Sequence, residues 1–336
     1  MTKSIFGLMT IALLISACSG GGQTGEQTKN PPEPTPVEET KAPAAATATT
    51  EPAPTPTDVP PTETPTLEPT PEPTQEPFTV TEDVPYVVDG DYKQRLDVYL
   101  PTGGQGPFPT LLLMHGGGSS KRDMAPLARY LAERGYAAIS INRRDFPYVT
   151  YPVPVQDTFC ALAWMHTNAG DYGFDVERMF AVGHSSGGTL AAMLGVVDDP
   201  ALFLQDCPHA LPEANWVRGV ATYTGIFDYA HAAGFSAGLR DYIAEYMGGT
   251  LDEISETWAE ASPTTWVDGT EPPFLLVHGT ADGNISSSES TQFADTLEGA
   301  GANVDLKLIG GAGHGEIIRS QYFELVETFV ELLEQE

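Results

Sequence analysis

The pentapeptide Gly183-His184-Ser185-Ser186-Gly187 is the strongest chemical signal in the sequence. A Gly-x-Ser-x-Gly sequence alone occurs by chance. Here it lies between an apolar stretch typical of a strand and one typical of a helix, and that context indicates a sharp turn that presents the serine at the strand end. Small residues are needed at Gly183 and Gly187 because the backbone passes close to itself there. Ser185 is therefore the candidate nucleophile.

A second glycine-rich segment, His115–Gly118, directly follows a continuous apolar run. Glycines at such a place let backbone N–H groups approach a substrate carbonyl without obstruction by side chains. The N–H of Gly116 or Gly117, together with that of Ser186, is predicted to form an oxyanion hole. A plain turn or a phosphate cradle is the alternative, but no Gly-Lys-Ser/Thr sequence follows the segment.

Serine becomes a good nucleophile only when a base removes its proton. Among the seven histidines, His314 stands in a glycine-rich loop between a predicted strand and the last predicted helix. The acid that orients such a base is expected between the serine and the histidine in chain order. Asp282, which follows a buried strand, is the first choice, and Asp228, which follows the preceding strand, is the alternative. His278, at the end of a predicted strand, is interpreted as structural.

These residues need a scaffold that brings strand ends together, and the apolar pattern predicts one. The predicted elements are two antiparallel strands through Val80, Val84 and Val87 and through Leu96, Val98 and Leu100, further strands at Pro109–Met114, Ala137–Ile141, Met179–Val182, Val217–Tyr223, Pro273–His278 and Val304–Ile309, and helices near Ala125–Arg134, Val155–Asn168, Thr189–Val196 and Ser320–Leu333. Strands alternating with helices predict an α/β fold with a doubly wound, mostly parallel sheet. Residues Ala201–Trp216 and Tyr229–Thr270 are predicted insertions that shape a small cap or a pocket wall.

At these motifs the sequence resembles the α/β-hydrolase superfamily over about Val98–Leu333, specifically its HGGG-containing carboxylesterases related to hormone-sensitive lipase and its feruloyl-esterase-like hydrolases. The resemblance implies acyl transfer to water through an acyl-enzyme on Ser185, with no cofactor. The family often has a Tyr-Arg pair after the second core strand, whereas Asn142-Arg143-Arg144 stands here. His184 also replaces the acidic or other residue that many relatives carry before the serine.

Three other functions remain open at this point. The first is an amide-bond hydrolase of peptidase or formamidase type, and the second is an esterase that removes acetyl or feruloyl groups from polysaccharides. The third is a surface binding module that has kept the fold and lost catalysis, which the complete set of candidate catalytic residues argues against. No spaced set of metal ligands is present in the sequence.

The N-terminus predicts export and a lipid anchor. Lys3 precedes an apolar run over Ile5–Ile15, which is too short to span a bilayer comfortably. The four residues that end in Cys18 resemble the bacterial lipobox, whose cysteine is acylated and becomes the new N-terminus. Residues 1–18 are thus predicted to be a lipoprotein signal peptide, which places the protein on a membrane facing the extracytoplasmic side. An ordinary secretory signal with an incidental cysteine is the alternative.

Residues 19–77 have a different composition from the rest of the chain. Pro31–Pro77 holds 15 of the 29 prolines, and no aromatic residue lies between Ser19 and Pro77. Such a segment cannot bury enough apolar surface to offset the entropy of ordering it, so a disordered, semi-rigid tether is predicted. Residues 78–336 form the predicted catalytic domain.

The net charge indicates which partners the protein can bind, and the cysteines indicate whether a disulfide can form. The formal net charge is −30, from 46 acidic and 16 basic residues, and such a field repels the phosphates of nucleic acids. Cys160 and Cys207 are the cysteines that remain after residue 18, and an exported protein meets oxidising conditions. A disulfide between them is the expectation, and two free thiols are the alternative.

Overall fold

The computed structural model describes residues 76–213 and 216–335. The predicted signal peptide with Cys18, and the predicted linker as far as residue 75, lie outside the described residues. Within these ranges, no helix combines the length and apolar character needed to cross a bilayer.

Eight strands in the described part of the chain form one twisted sheet, as the alternation of apolar segments predicts. They are β1 (Phe78–Pro85), β2 (Arg95–Pro101), β3 (Phe108–Met114), β4 (Ala137–Ile141), β5 (Phe174–His184), β6 (Gly219–Tyr223), β7 (Phe274–Gly279) and β8 (Val304–Ile309). Their order across the sheet is β1-β2-β4-β3-β5-β6-β7-β8. The pairs β1–β2 and β2–β4 are antiparallel, and all other neighbours are parallel. The carboxyl ends of six parallel strands therefore meet at one edge.

The α-helices lie on both faces of this sheet, and each face has its own apolar core. They are α1 (Lys121–Ala132), α2 (Val153–Thr167), α3 (Ala169–Tyr172), α4 (Ser186–Val196), α5 (Ala237–Met247), α6 (Ser255–Glu260), α7 (Ser288–Ala300) and α8 (Phe323–Glu334). Helices α1 and α8 cover one face, and α2, α4 and α7 cover the other. The prediction of a doubly wound, mostly parallel α/β fold is confirmed.

Two helices begin earlier than the apolar pattern predicts. Helix α1 begins at Lys121 rather than near Ala125, because Asn142 Oδ1 accepts the N–H of Lys121 and compensates for a first turn with little apolar character. Helix α4 begins at Ser186 rather than Thr189. Its first turn contains two glycines, which have poor helix propensity and therefore hid the helix start.

Helix α7 was not predicted at all. Its sequence is rich in serine, threonine and acidic residues, and only a narrow apolar stripe of Phe293, Ala294 and Leu297 marks its buried side. A helix with so few apolar residues is stabilised by packing on the neighbouring strands β7 and β8 rather than by its own apolar pattern.

The two insertions differ in what they do. One predicted insertion, Tyr229–Thr270, forms α5 and α6 and lines a cavity of about 340 Å³ beside Ser185, as expected. The other, Ala201–Trp216, has no described residue in the wall of that cavity, although Glu213 and Trp216 line a separate cavity. It packs instead on α2, where a disulfide joins Cys160 to Cys207 with their Cα atoms 5.5 Å apart.

Candidate active site

Ser185 lies in the turn between β5 and α4, at the edge where the parallel strands end. Its φ of 57° is unusual for a residue with a side chain, and its N–H donates to Tyr223 O at 2.9 Å. A Cβ atom on Gly183 would lie 1.9 Å from Gly187 O, and one on Gly187 would lie 2.3 Å from Met114 O. Both glycines are thus required by close backbone approach, as the sequence predicts. The strained turn fixes where the serine hydroxyl stands.

The structure brings Ser185, His314 and Asp282 into one hydrogen-bonded chain. His314 Nε2 lies 3.0 Å from Ser185 Oγ, and His314 Nδ1 lies 2.7 Å from Asp282 Oδ2. The carboxylate fixes the tautomer in which Nδ1 carries the proton, and Nε2 is then free to accept the serine proton. This arrangement is the geometry of a nucleophile, a base and an orienting acid.

Asp282 is held in its charged form although its side chain is fully buried. Burial favours the neutral acid, but the N–H groups of Ile285 and Asn284 and the ring of His314 stabilise the carboxylate more strongly. These contacts hold the pKa of Asp282 below its ordinary value. The two backbone N–H groups donate to Oδ1 at 3.0 and 2.8 Å, which leaves Oδ2 facing the histidine.

Asp228, the alternative acid, lies elsewhere. Its Oδ1 accepts the backbone N–H of His231 at 3.0 Å, while His314 is bound to Asp282. Asp282, in the loop after β7, therefore faces the histidine, whereas Asp228, in the loop after β6, does not. A Cβ on Gly279, at the end of β7, would lie 2.2 Å from Ala312 O, so this glycine allows the acid loop and the histidine loop to approach.

Two further histidines support the site. His278 is buried behind Asp282, with Nδ1 at 2.7 Å from Ser290 Oγ and Nε2 at 3.1 Å from Ile285 O, and burial lowers its pKa. A neutral ring bonded in this way is structural, in keeping with its interpretation from the sequence. His184 Nε2 lies 3.0 Å from the carbonyl oxygen of His314, so the residue before the serine also holds the loop that carries the base.

The predicted oxyanion residues lie next to Ser185. Ser186 is the first residue of α4, so its N–H has no partner within the helix, and the positive end of the helix dipole lies there. A Cβ on Gly116 would lie 3.2 Å from Ser185 Cβ, and one on Gly117 would lie 3.6 Å from Ser186 Oγ. The glycine loop after β3 and the start of α4 thus flank the serine hydroxyl, as an oxyanion hole requires.

In the sequence, Asn142-Arg143-Arg144 stands out only as a departure from the pattern of the family that the chain resembles. In the structure Arg144 forms a two-pronged ion pair with Asp157, from Nη2 to Oδ1 at 2.7 Å and from Nε to Oδ2 at 3.0 Å. Arg143 is fully buried and donates hydrogen bonds to the glycine loop, at His115, and to the start of α4, at Ser186. A signal for it existed, because it follows the carboxyl end of β4, at the same sheet edge as the serine.

Two cavities open on the serine. The main cavity has a volume of about 340 Å³ and includes Ser185, His314 and Gly117 in its wall. Most of the rest of its lining is apolar or aromatic and comes from α2, α4, α5 and adjacent loops: Phe146, Tyr151, Val155, Leu190, Met193, Tyr229, Leu239, Tyr242, Ile243 and Tyr246. A smaller cavity of about 290 Å³ also contains Ser185 and His314, and it is bounded by His184 and Ile318. In the described residues, no cluster of three side chains could hold a metal ion.

Comparisons with known proteins agree with this geometry. The BD-FAE family model matches residues 96–297. The chain is 30% identical over 232 residues to esterase LipQ of Mycobacterium tuberculosis, covering 66% of this chain and 53% of that protein. It is 30% identical over 241 residues to the probable isoprenylcysteine alpha-carbonyl methylesterase ICMEL1 of Oryza sativa subsp. japonica, covering 67% and 55%. The chain thus spans about half the length of these curated relatives.

Solved structures show the same fold. A truncated carbohydrate esterase from gut microbiota superposes with a TM-score of 0.67 at 24% identity, over 79% of this chain and 99% of that one. Esterase B of Lactobacillus rhamnosis superposes with a TM-score of 0.66 at 21% identity, over 77% and 86%. Because the family model matches more than half of the sequence, the chain belongs to the BD-FAE family and has the α/β-hydrolase fold.

Proposed function

We propose that the chain hydrolyses carboxylic esters through an acyl-enzyme on Ser185. The observation that carries the proposal is the position of His314, bonded at once to Asp282 and Ser185, where two cavities meet. A serine with a base, an oriented tautomer and nearby N–H donors is the arrangement that acyl transfer requires. The curated relatives named above are esterases, which supports an ester rather than an amide.

In the first step Ser185 Oγ attacks the ester carbonyl carbon, and its proton passes to His314 Nε2. The carbonyl oxygen becomes an oxyanion that accepts hydrogen bonds from the N–H of Gly116 or Gly117 and from the N–H of Ser186. Asp282 stabilises the imidazolium that forms. His314 then gives its proton to the leaving alcohol oxygen, and the acyl group stays on the serine. Water attacks this acyl-enzyme in the same way and releases the acid.

The two cavities divide the substrate between them. The main cavity, with its apolar and aromatic lining, suits the acyl group, and the smaller cavity beside His314 and His184 suits the alcohol. A volume of about 340 Å³ exceeds what an acetyl group needs. Acyl chains longer than acetyl therefore gain binding free energy by filling it.

The test is the hydrolysis of a p-nitrophenyl ester series, from acetate to laurate, by the full chain. We expect kcat/KM to rise by up to about fourfold for each added CH₂, since each buried CH₂ is worth about 0.8 kcal/mol, and to fall once the chain exceeds the cavity. The matched p-nitroanilides are the control, and their turnover should be far slower. Hydrolysis of anilides at the rate of the esters would favour the amide-hydrolase alternative. If no ester is hydrolysed and a fluorophosphonate does not label Ser185, the proposal is wrong.

We also propose that the protein is anchored by a lipid on Cys18 and faces the extracytoplasmic side. The support is Lys3, the apolar run to Ile15 and the lipobox-like Ile15-Ser16-Ala17-Cys18. In this proposal the proline-rich residues 19–77 serve as a spacer between the lipid and the catalytic domain.

The anchor is tested with the full chain produced in a bacterial host. In a Triton X-114 phase separation, we expect the wild-type protein in the detergent phase and Cys18→Ala in the aqueous phase. Metabolic labelling with a tritiated fatty acid should mark the wild type alone. A wild-type protein that stays in the aqueous phase without label would instead identify an ordinary secretory signal.

A further inference from the structure

Arg143 is a buried cation that the proposed reaction does not use. Its side chain is fully buried, and its ion-pair partner Asp145 has only 21% of its side chain exposed. Taking charges out of water is costly, and buried ion pairs often stabilise a fold no better than apolar residues of the same size. Arg143 Nε also has no hydrogen-bond partner among the described residues. Stability alone therefore explains this residue poorly.

The guanidinium contacts residues on both sides of the predicted oxyanion hole. On one side, Arg143 Nη2 donates to Ser186 Oγ at 2.9 Å, on the residue whose N–H opens helix α4. On the other side, Arg143 Nη1 donates to His115 O at 3.0 Å. Since a peptide unit is planar, fixing the carbonyl of His115 also fixes the direction of the N–H of Gly116, which belongs to the same peptide.

The peptide between Gly116 and Gly117 is held indirectly, through the ring of His115. His115 Nδ1 lies 2.7 Å from Gly116 O, and that carbonyl shares its peptide with the N–H of Gly117. Burial lowers the pKa of His115 to about 3, and the charge of Arg143, with Nη1 at 3.4 Å from Nδ1, adds to the effect. The ring is thus neutral, and its one proton on Nδ1 donates to the carbonyl.

From these contacts we infer that Arg143 is a positioning residue that joins the glycine loop to the start of α4 and so sets the geometry of the oxyanion hole. The inference rests on the proposed ester hydrolysis and adds a residue to it. Donation to a carbonyl also polarises the attached N–H, which strengthens the hydrogen bond that the N–H gives to the oxyanion. The adjacent positive charge acts in the same direction as negative charge develops on the substrate oxygen.

The test replaces Arg143 in the full chain and separates kcat from KM. We expect Arg143→Met to lower kcat by about 10²-fold, the lower end of the loss seen when one oxyanion donor is removed, with KM changed less than threefold. Affinity for an alkyl boronic acid, whose adduct with Ser185 mimics the tetrahedral intermediate, should fall in the same proportion as kcat/KM. A role in folding alone would lower the melting temperature without this parallel loss.

Arg144→Met is the matched control, because it also removes an arginine that is paired with a carboxylate. Arg144, however, has no hydrogen bond to a residue of the predicted oxyanion hole. The substitution should lower the melting temperature and leave kcat within twofold of the wild type. Arg143→Lys keeps charge and most of the length but not the planar set of donors, so we expect a kcat loss of about tenfold. In a double-mutant cycle, Ser186→Ala should add little to Arg143→Met, since both remove the same contact.

The outcomes distinguish the two proposals. Absence of ester turnover in the wild type overturns the proposed function, whereas the ratio of variant to wild type judges Arg143. If Arg143→Met does not fold, Arg143→Lys decides the question. A kcat of Arg143→Lys within twofold of the wild type, or a loss in Arg143→Met no larger than in Arg144→Met, overturns the inference.

Discussion

Replacement of Ser185 by alanine is expected to lower kcat for a p-nitrophenyl ester by about 10⁶-fold, as removal of a serine nucleophile does in comparable hydrolases. The N–H groups at Gly116, Gly117 and Ser186 remain in the variant, but no atom is left to form the acyl-enzyme. Alanine carries the same Cβ as serine, so the turn with its φ of 57° should form as before and the melting temperature should change little.

The measurement is kcat together with labelling by a fluorophosphonate and mass spectrometry of the labelled peptide. Ser288→Ala is the control, because Ser288 is exposed at the start of α7 and lines neither of the two cavities at Ser185. Its kcat should stay within twofold of the wild type. Retention of more than about one hundredth of the activity by Ser185→Ala would show that another residue is the nucleophile.

Replacement of Asp282 by asparagine is expected to lower kcat by about 10⁴-fold, the loss known for an orienting aspartate in a serine-histidine-aspartate triad. The reason lies in the contacts of Oδ1, which accepts N–H groups from Asn284 and Ile285. In the variant the amide oxygen must take that place, so the NH₂ group faces His314. The ring then accepts at Nδ1 and carries its proton on Nε2, where it can no longer accept the proton of Ser185.

Asp228→Asn is the matched control, since Asp228 is the other acid that chain order allows. Its carboxylate bonds to the N–H of His231, and we expect kcat within twofold of the wild type. The readout is the steady-state kcat of both variants on one ester, with melting curves to show that both are folded. A larger loss in Asp228→Asn than in Asp282→Asn would reassign the orienting acid.

The hydrogen-bonded chain of Ser185, His314 and Asp282 could be predicted from the sequence because its signals are local. A glycine-flanked serine between a strand and a helix, an aspartate after a later strand and a histidine before the last helix need only chain order and apolar pattern. The sheet edge where parallel strands end then brings them together without further information. The fold class follows from the same alternation of elements.

The features that sequence reasoning missed depend on contacts between distant segments. Arg143 acquires its position only because β4 lies beside β3, which puts it next to the glycine loop and within reach of Ser186. Helix α7 has too narrow an apolar stripe to stand out from a polar loop. No described residue of Ala201–Trp216 lines the main cavity, and the disulfide at Cys207 ties this segment to α2.

The main cavity has a consequence for how this enzyme family can diversify. Ser185, Asp282, His314 and the oxyanion residues all lie outside the insertion that spans residues 229–270, yet Tyr229, Leu239, Tyr242, Ile243, Tyr246 and Ala261 of that insertion line the cavity. One contiguous stretch of chain therefore supplies much of the wall of this cavity and none of the residues to which the proposed chemistry is assigned. Substitutions within this stretch can therefore alter the shape of the cavity while the residues of the proposed chemistry stay in place.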